Sequence, residues 1–155
     1  MKSVTGRDGY ITARALYAYV RLLQSKAKAG VVSLADVRNE RAARVVLQGY
    51  GTLGHIFAVA DNEPEEPVDL AVHLGDTSVD ADVNAVTAAA LYEFIRYQQT
   101  LPDRQREWSN EQDAEALLNA LFLLETKRLL AQDKARGVTP PDVVDENRKP
   151  FRRAG

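Results

Sequence analysis

Apolar residues recur every three or four positions along most of this chain, and this spacing predicts an all-α protein. In residues 11–28, for example, one helical face carries aliphatic and aromatic side chains, whereas arginine, lysine and glutamine occupy the other. Four main helices are predicted, over about 11–28, 34–61, 85–100 and 109–136. A shorter linking helix is predicted over 68–74.

Local signals mark the ends of these helices. Gly30 and Gly137 stand where a helix stop is needed, because glycine readily adopts the left-handed conformation that ends many helices. Ser33 and Ser109 are predicted N-caps, and Ser109 opens an S-x-x-Q capping box. A glycine inside a helix costs about 1 kcal/mol relative to alanine, so we expect a break or kink near Gly49.

One 15-residue segment of the first helix recurs 75 positions later. Residues 11–25 read ITARALYAYVRLLQS, and residues 86–100 read VTAAALYEFIRYQQT. Identical pairs are Thr12/Thr87, Ala13/Ala88, Ala15/Ala90, Leu16/Leu91, Tyr17/Tyr92, Arg21/Arg96 and Gln24/Gln99. Self-similarity at a fixed spacing is typical of a duplicated supersecondary unit. The sequence therefore predicts two tandem, related helical hairpins that together form a helical bundle.

The repeat also suggests the domain organisation. A single helical domain is predicted over 1–137, after a loose lead-in at its N-terminus. Within it, repeat unit A covers about 11–61, an acidic linker and short helix 62–76, and repeat unit B about 77–137. Residues 138–155 are predicted to be a flexible C-terminal tail.

Composition limits the possible chemistry. The chain has no cysteine, which excludes disulfides, thiolate catalysis and cysteine-ligated zinc. His55 and His73 are the only histidines, and neither belongs to a metal-binding or catalytic spacing. We therefore expect no enzyme activity, no cofactor and no metal. No apolar run approaches 18 residues, so we expect neither a membrane span nor a signal peptide, and a cytoplasmic location.

The polar part of the repeat is the first candidate binding surface. Tyr17, Arg21 and Gln24 follow at i, i+4 and i+7 and so share a helix face, and Tyr92, Arg96 and Gln99 repeat the pattern. One interpretation is a pair of partner-binding surfaces, each with an aromatic ring and a guanidinium that binds a carboxylate or a phosphate. Alternatively, these are unreplaced ancestral residues, or they support the hairpins through hydrogen bonds. The leading functional prediction is a protein–protein interaction module that binds an unidentified protein and forms a homodimer.

Charge supplies an alternative function. Residues 1–60 carry nine Lys or Arg against three Asp or Glu, whereas residues 61–82 carry eight acids and no base. A basic stripe in the first half consists of Lys26, Lys28, Arg38, Arg41 and Arg44. Such a stripe is suited to phosphate contacts, so the alternative is a nucleic-acid-binding regulator.

A glycine motif supplies a third interpretation. Gly49-x-Gly51-x-x-Gly54 follows three apolar residues, 45–47, and resembles the phosphate-binding turn of NAD-dependent dehydrogenases, amino-acid dehydrogenases in particular. The resemblance implies that Gly49 makes a tight turn, that Gly51 lets backbone amides approach a pyrophosphate and that Gly54 lets the helix pack closely. It further implies that residues 68–74 form the second strand and that Asp76 binds a ribose hydroxyl. It also requires a strand at 45–47. It covers about thirty residues, and no further parallel strands follow it.

Overall fold

The computed structural model describes residues 2–4, 6–31, 33–48, 72–74 and 81–143, and this part of the chain is a helical bundle. Its elements are strand β1 (Lys2–Val4), helix α1 (Gly6–Lys28), helix α2 (Leu34–Gln48), strand β2 (Val72–Leu74), helix α3 (Ala81–Thr100), a 3-10 turn (Asp103–Gln105), helix α4 (Trp108–Leu121) and helix α5 (Leu123–Ala135). The predicted all-α bundle is thus confirmed. Within these residues, no helix is both long and apolar enough to cross a lipid bilayer.

Helix α3 lies at the centre of the bundle and contacts each of the other four described helices. Buried side chains occupy most of its circumference, as expected for a helix that packs against several others, whereas Ala85, Tyr97 and Thr100 are exposed. In the first half of the chain, helix α1 packs more extensively on α3 than α2 does. Helix α1 also contacts α2 and α4. Between them, α1 and α3 supply most of the core: Tyr10, Ile11, Ala13, Ala15, Leu16, Tyr17, Tyr19, Val20, Leu23, Val86, Ala88, Ala90, Leu91, Tyr92, Phe94 and Ile95.

Two buried threonines occupy equivalent positions in α1 and α3. The Thr12 hydroxyl donates a hydrogen bond to the carbonyl oxygen of Asp8 at 2.8 Å, and the Thr87 hydroxyl donates to that of Val83 at 2.7 Å. Both side chains are completely buried. Bonding to the carbonyl four residues earlier satisfies each hydroxyl without a partner from another helix.

The N-terminal lead-in is more ordered than the sequence predicts. Helix α1 begins at Gly6, and Lys2–Val4 pairs with Val72–Leu74 as a two-stranded antiparallel ribbon. The predicted helix over 68–74 is therefore wrong for its last three residues. Pairing satisfies backbone N–H and C=O groups through a partner about seventy positions away, which local helix and turn signals do not reveal.

Three of the predicted helix-end signals are confirmed. Gly30 and Gly137 have φ angles of 82° and 70°, in the left-handed region. The Ser33 hydroxyl accepts a hydrogen bond from the Asp36 backbone N–H at 3.1 Å. Helix α2 is described over Leu34–Gln48, and the expected break near Gly49–Gly51 is not tested. The remainder of the helix predicted to reach residue 61 lies outside the described residues.

The start of the helix predicted over 109–136 is wrong. Helix α4 begins at Trp108, its N-cap residue is Glu107, and Ser109 lies inside the first turn. The side chain of Gln98 supplies a cap from another helix, because its Oε1 accepts a hydrogen bond from the Glu107 backbone N–H at 2.7 Å. A cap that comes from α3 has no signature in the local sequence.

That predicted helix is also interrupted at Phe122, where φ is −131° and ψ is 35°. The carbonyl oxygen of Phe122 still accepts hydrogen bonds from the Thr126 amide at 2.9 Å and the Thr126 hydroxyl at 2.8 Å. The bend buries the Phe122 ring completely. Leu124, two residues after the bend, is 58% exposed.

The beginning of the predicted flexible tail is docked. Residues 138–143 follow α5 and pack along α3, and Pro141 and Val143 are buried. Their hydrogen bonds with α3 join residues 43 positions apart, so local composition does not predict that this segment is docked. Residues 144–155 lie outside the described part of the chain.

We expect Phe122→Ala to lower the free energy of unfolding by about 3–5 kcal/mol, because it leaves a cavity at a fully buried aromatic position. Leu124→Ala, two residues away but largely exposed, is the matched control and should change it by less than about 0.5 kcal/mol. Urea unfolding followed by circular dichroism measures both. Equal losses for the two variants would contradict the bend at Phe122.

Candidate partner-binding groove

The six residues of the repeated polar pattern lie on two different surfaces. We call Tyr92, Arg96 and Gln99 the α3 triad, and Tyr17, Arg21 and Gln24 the α1 triad. The α3 triad contacts α5 and residues 139–143, whereas Tyr17 and Arg21 of the α1 triad line a groove between α1 and α3. The two triads thus have the same spacing along the sequence but lie in different environments.

Arg96 is the hub of the α3 triad. Its Nε donates to Glu93 at 3.0 Å, its Nη1 donates to the carbonyl oxygen of Thr139 at 2.7 Å, and its Nη2 donates to the carboxylate of Asp133. The guanidinium carbon lies 5.4 Å from the centroid of the Tyr92 ring. Arg96 thereby joins α3, α5 and the C-terminal segment, and two carboxylates balance its charge.

Tyr92 strengthens the same network. Its hydroxyl donates to Asp133 at 2.6 Å, and only 1% of its surface is exposed. Burial raises the pKa of Tyr92, and the hydrogen bond to Asp133 raises this pKa further. The phenol is therefore neutral and serves as a hydrogen-bond donor over the physiological pH range.

The side chain of Gln99 holds the C-terminal segment through the main chain of that segment. Its Nε2 donates to the carbonyl oxygen of Asp142 at 2.8 Å, and its Oε1 accepts from the Asp142 backbone N–H at 2.7 Å. The side-chain amide thus pairs with both main-chain groups of one residue, as a neighbouring strand would. Because Gln99 bonds only to main-chain groups, this contact does not depend on which side chain stands at position 142.

The sequence does not predict the buried ion pair that lies beside the α3 triad. Arg106 donates from Nε to Glu111 Oε1 at 2.6 Å and from Nη2 to Oε2 at 2.7 Å, and Glu111 is almost completely buried. The hydrogen bond with Glu111 raises the pKa of Arg106, whose guanidinium also stacks 3.9 Å from the Trp108 ring centroid. No sequence signal identified this pair, because its burial depends on how α4 packs on α3.

The α1 triad repeats part of the α3 geometry. Arg21 Nη1 donates to the Tyr17 hydroxyl at 3.1 Å, and its guanidinium carbon lies 5.8 Å from the Tyr17 ring centroid. Tyr17 is buried, Gln24 is half-buried and Arg21 is exposed. The position equivalent to Glu93, which pairs with Arg96, is occupied in α1 by Ala18.

The groove between α1 and α3, which we call the α1–α3 groove, has a volume of about 400 Å³. Aromatic side chains form much of its wall, and Tyr97 at its edge is 60% exposed. Arg14 and Arg21 contribute positive charge to the groove, and Glu93 contributes negative charge. Arg14 pairs with Glu107 at 3.3 Å and lies 5.6 Å from the Phe94 ring centroid. The complete lining is Arg14, Tyr17, Ala18, Tyr19, Arg21, Leu22, Ser25, Ala90, Glu93, Phe94 and Tyr97.

The predicted basic stripe lies on the exposed surface of α1 and α2. Four of its five residues are exposed: Lys28, Arg38, Arg41 and Arg44. Two of its side chains form ion pairs, Arg44 with Glu40 at 3.0 Å and Lys26 with Asp36 at 3.5 Å. Apolar side chains interrupt the stripe on α2. Exposed fractions are 74% for Leu34, 42% for Val37 and 61% for Val45. The α2 surface thus mixes cations with exposed aliphatic groups.

The strand that a dinucleotide-binding turn requires at 45–47 is not there. These residues belong to α2, and Ala43, Val46 and Leu47 are buried together at i, i+3 and i+4, which is helical spacing. That strand prediction is wrong, because an apolar run of three residues fits a helix face as well as a strand. Gly49, Gly51, Gly54 and Asp76 lie outside the described residues.

Comparisons with protein-family models, with curated proteins and with solved structures gave no match.

We expect Gln99→Ala to release the main chain of Asp142, because the variant loses the hydrogen bonds that Gln99 makes with the amide and the carbonyl of that residue. The free energy of unfolding should fall by about 1–2 kcal/mol. Hydrogen exchange at the Asp142 amide, followed by NMR, should accelerate. Gln24→Ala is the matched control, and an unchanged Asp142 exchange rate in Gln99→Ala would contradict the contact.

We expect stability to fall in alkaline solution as Tyr19 ionises. Burial raises the pKa of Tyr19 to about 12, and its hydroxyl accepts a hydrogen bond from Asn39 at 3.3 Å. Since the folded pKa exceeds the unfolded value of 10.0, this contribution is complete below pH 10 and is lost as the pH rises towards 12. Urea unfolding between pH 8 and about 11 should show a shallower decline for Tyr19→Phe than for the wild type. An identical decline in the free energy of unfolding for Tyr19→Phe and the wild type would contradict the raised pKa of Tyr19.

Proposed function

We propose that this protein is a non-enzymatic helical interaction module, which binds a segment of another protein in the α1–α3 groove and also self-associates. The observation that carries the proposal is the lining of that groove. Tyr17, Phe94 and Tyr97 stand beside Arg14 and Arg21, and aromatic residues with arginine dominate the binding energy of protein interfaces. We place the protein in the cytoplasm, in keeping with a chain that has no cysteine.

We interpret α1 and α3 as the first helices of two related hairpins. Support comes from the equivalent hydrogen bonds of Thr12 and Thr87 and from the similar stacking of Arg21 on Tyr17 and of Arg96 on Tyr92. On this view, duplication gave two copies of one polar surface. The α3 copy holds the chain's own C-terminal segment, and the α1 copy stands at the groove.

Self-association is assigned to the α2 surface. Leu34, Val37 and Val45 expose aliphatic groups on one helix, and burying them against a second copy would remove that area from water. The alternative function uses the same surface: Arg38, Arg41 and Arg44, together with Lys26 and Lys28, would contact nucleic-acid phosphates. We do not propose the dinucleotide-binding function, because the strand it requires at 45–47 is helical.

We expect light scattering after size exclusion to give a dimer for the wild type and a monomer for the double variant Leu34→Gln, Val45→Gln. Both side chains are exposed in the single chain, so the variant should keep its helical circular dichroism. Leu124→Gln, at a similarly exposed site on α5, is the control and should remain dimeric.

The same samples with duplex DNA separate the two functions. A complex that forms at low salt, dissolves at high salt and disappears in Arg38→Gln, Arg41→Gln would favour the nucleic-acid alternative. A monomeric wild type would contradict self-association through α2.

A further inference from the structure

The exposed face of α2 has a sequence that is symmetric about Arg41. Arg38 and Arg44 lie three residues before and after Arg41, and Val37 and Val45 lie four residues before and after it. Residues three or four apart share one side of a helix, so these five side chains form one face. All five are exposed, so this face points away from the bundle. We call these five residues the symmetric α2 face.

This symmetry is what an isologous contact between two copies of the chain requires. In such a contact, residue i of one copy meets residue j of the other, and j meets i. If two α2 helices pair antiparallel about a twofold axis at Arg41, then Val37 faces Val45 of the second copy and Arg38 faces its Arg44. The exposed valines would thus meet at both ends of the contact, with the arginines in its centre.

The centre of this contact carries an excess of positive charge. Glu40 pairs with Arg44 at 3.0 Å, and Asp36, the other carboxylate of α2, pairs with Lys26 of α1 at 3.5 Å. With one carboxylate for three arginines, each copy brings two excess positive charges to the symmetric α2 face, and the dimer doubles this excess. Like charges repel at close range, and two copies of Arg41 meet on the axis itself. An anion at the axis would balance this charge and draw the two copies together.

The residue type and the spacing indicate an anion of the phosphate class. A planar guanidinium binds phosphate oxygens through paired hydrogen bonds. Arg38 and Arg44 are six residues apart, which is about 9 Å along a helix. Linked phosphate groups, as in pyrophosphate, offer several oxygens over such a span.

We propose that a multivalent phosphate anion binds on the twofold axis between two α2 helices. Arg41 of both copies holds it, together with Arg38 of one copy and Arg44 of the other. The complete site exists only in the dimer, so the anion promotes self-association by mass action. This inference rests on the proposed self-association through α2 and adds a ligand that regulates it.

The test is sedimentation equilibrium of the full chain in chloride buffers of equal ionic strength, with and without inorganic pyrophosphate. We expect pyrophosphate to lower the dissociation constant of the wild-type dimer about tenfold. Arg41→Gln should abolish this response. In chloride alone its dimer should be at least as tight as that of the wild type, because the repulsion on the axis is gone. Isothermal titration calorimetry of the wild type should give one pyrophosphate per two chains.

Two further variants serve as controls. Arg128→Gln removes an exposed arginine from α5 and should leave both dissociation constants unchanged. Val37→Gln removes an apolar contact and should weaken the dimer in both buffers, while pyrophosphate still tightens it. All three substituted positions are exposed, so each variant should keep the helical circular dichroism of the wild type.

Several results would overturn the inference. A pyrophosphate response that Arg128→Gln reduces as much as Arg41→Gln would show non-specific charge attraction. One anion per chain, bound without any change in dimerisation, would place the site on the single copy. Duplex DNA that binds the wild type while pyrophosphate has no effect would assign the arginines to nucleic acid. A response that appears only after Glu63, Glu65 and Glu66 are changed to Gln would show that the chain's own carboxylates compete for the arginines.

The same data keep the failure of this inference distinct from failure of the proposed function. If the wild type dimerises in chloride, Val37→Gln weakens the dimer and pyrophosphate changes nothing, then self-association through α2 stands and the anion site fails. If every sample stays monomeric in both buffers, self-association itself fails.

Discussion

The contact between α1 and α3 is the interaction on which the rest of the structure depends. The core includes small and large side chains from both helices: at most 1% of the surface of Ala13, Ala15, Ala88 and Ala90 is exposed, and Leu16 and Leu91 are fully buried. Dense packing of this kind tolerates little change in volume. Because α3 also contacts α2, α4 and α5, a displacement of α1 against α3 would disturb every other helix. The groove depends on the same contact, since its two walls are α1 and α3.

The α1 triad and the α3 triad share one polar pattern but make different contacts. On α3, Tyr92, Arg96 and Gln99 are committed to the chain's own α5 and C-terminal segment. On α1, Ala18 replaces the carboxylate beside Arg96, and the groove brings Phe94 and Tyr97 next to Tyr17. The α3 triad thus holds the chain's own C-terminal segment, whereas Tyr17 and Arg21 line the α1–α3 groove, where we propose that a partner binds. This division is the basis of the proposed function.

The sequence was informative wherever the cause is local. Helical periodicity predicted the helices, and Gly30, Gly137 and Ser33 predicted their ends, because left-handed φ angles and hydroxyl caps act within one turn. The i, i+4 spacing also predicted that each arginine would lie beside its tyrosine. The bend at Phe122, the cap that Gln98 provides for α4 and the docking of 139–143 on Gln99 all depend on neighbours from distant parts of the chain. Periodicity alone could not distinguish the engaged triad from the one at the groove.

Native-state hydrogen exchange, resolved by residue over increasing urea concentrations, tests the central role of the α1–α3 contact most directly. We expect the buried centres of the two helices, residues 11–20 and 86–95, to share the highest protection in the described part of the chain and to exchange only through global unfolding. The amides of α2 and of 138–143 should exchange at lower free energy, because fewer of their residues are buried. Exchange of α1 through a separate, less stable opening, with α3 still protected, would contradict the view that the two helices form one cooperative core.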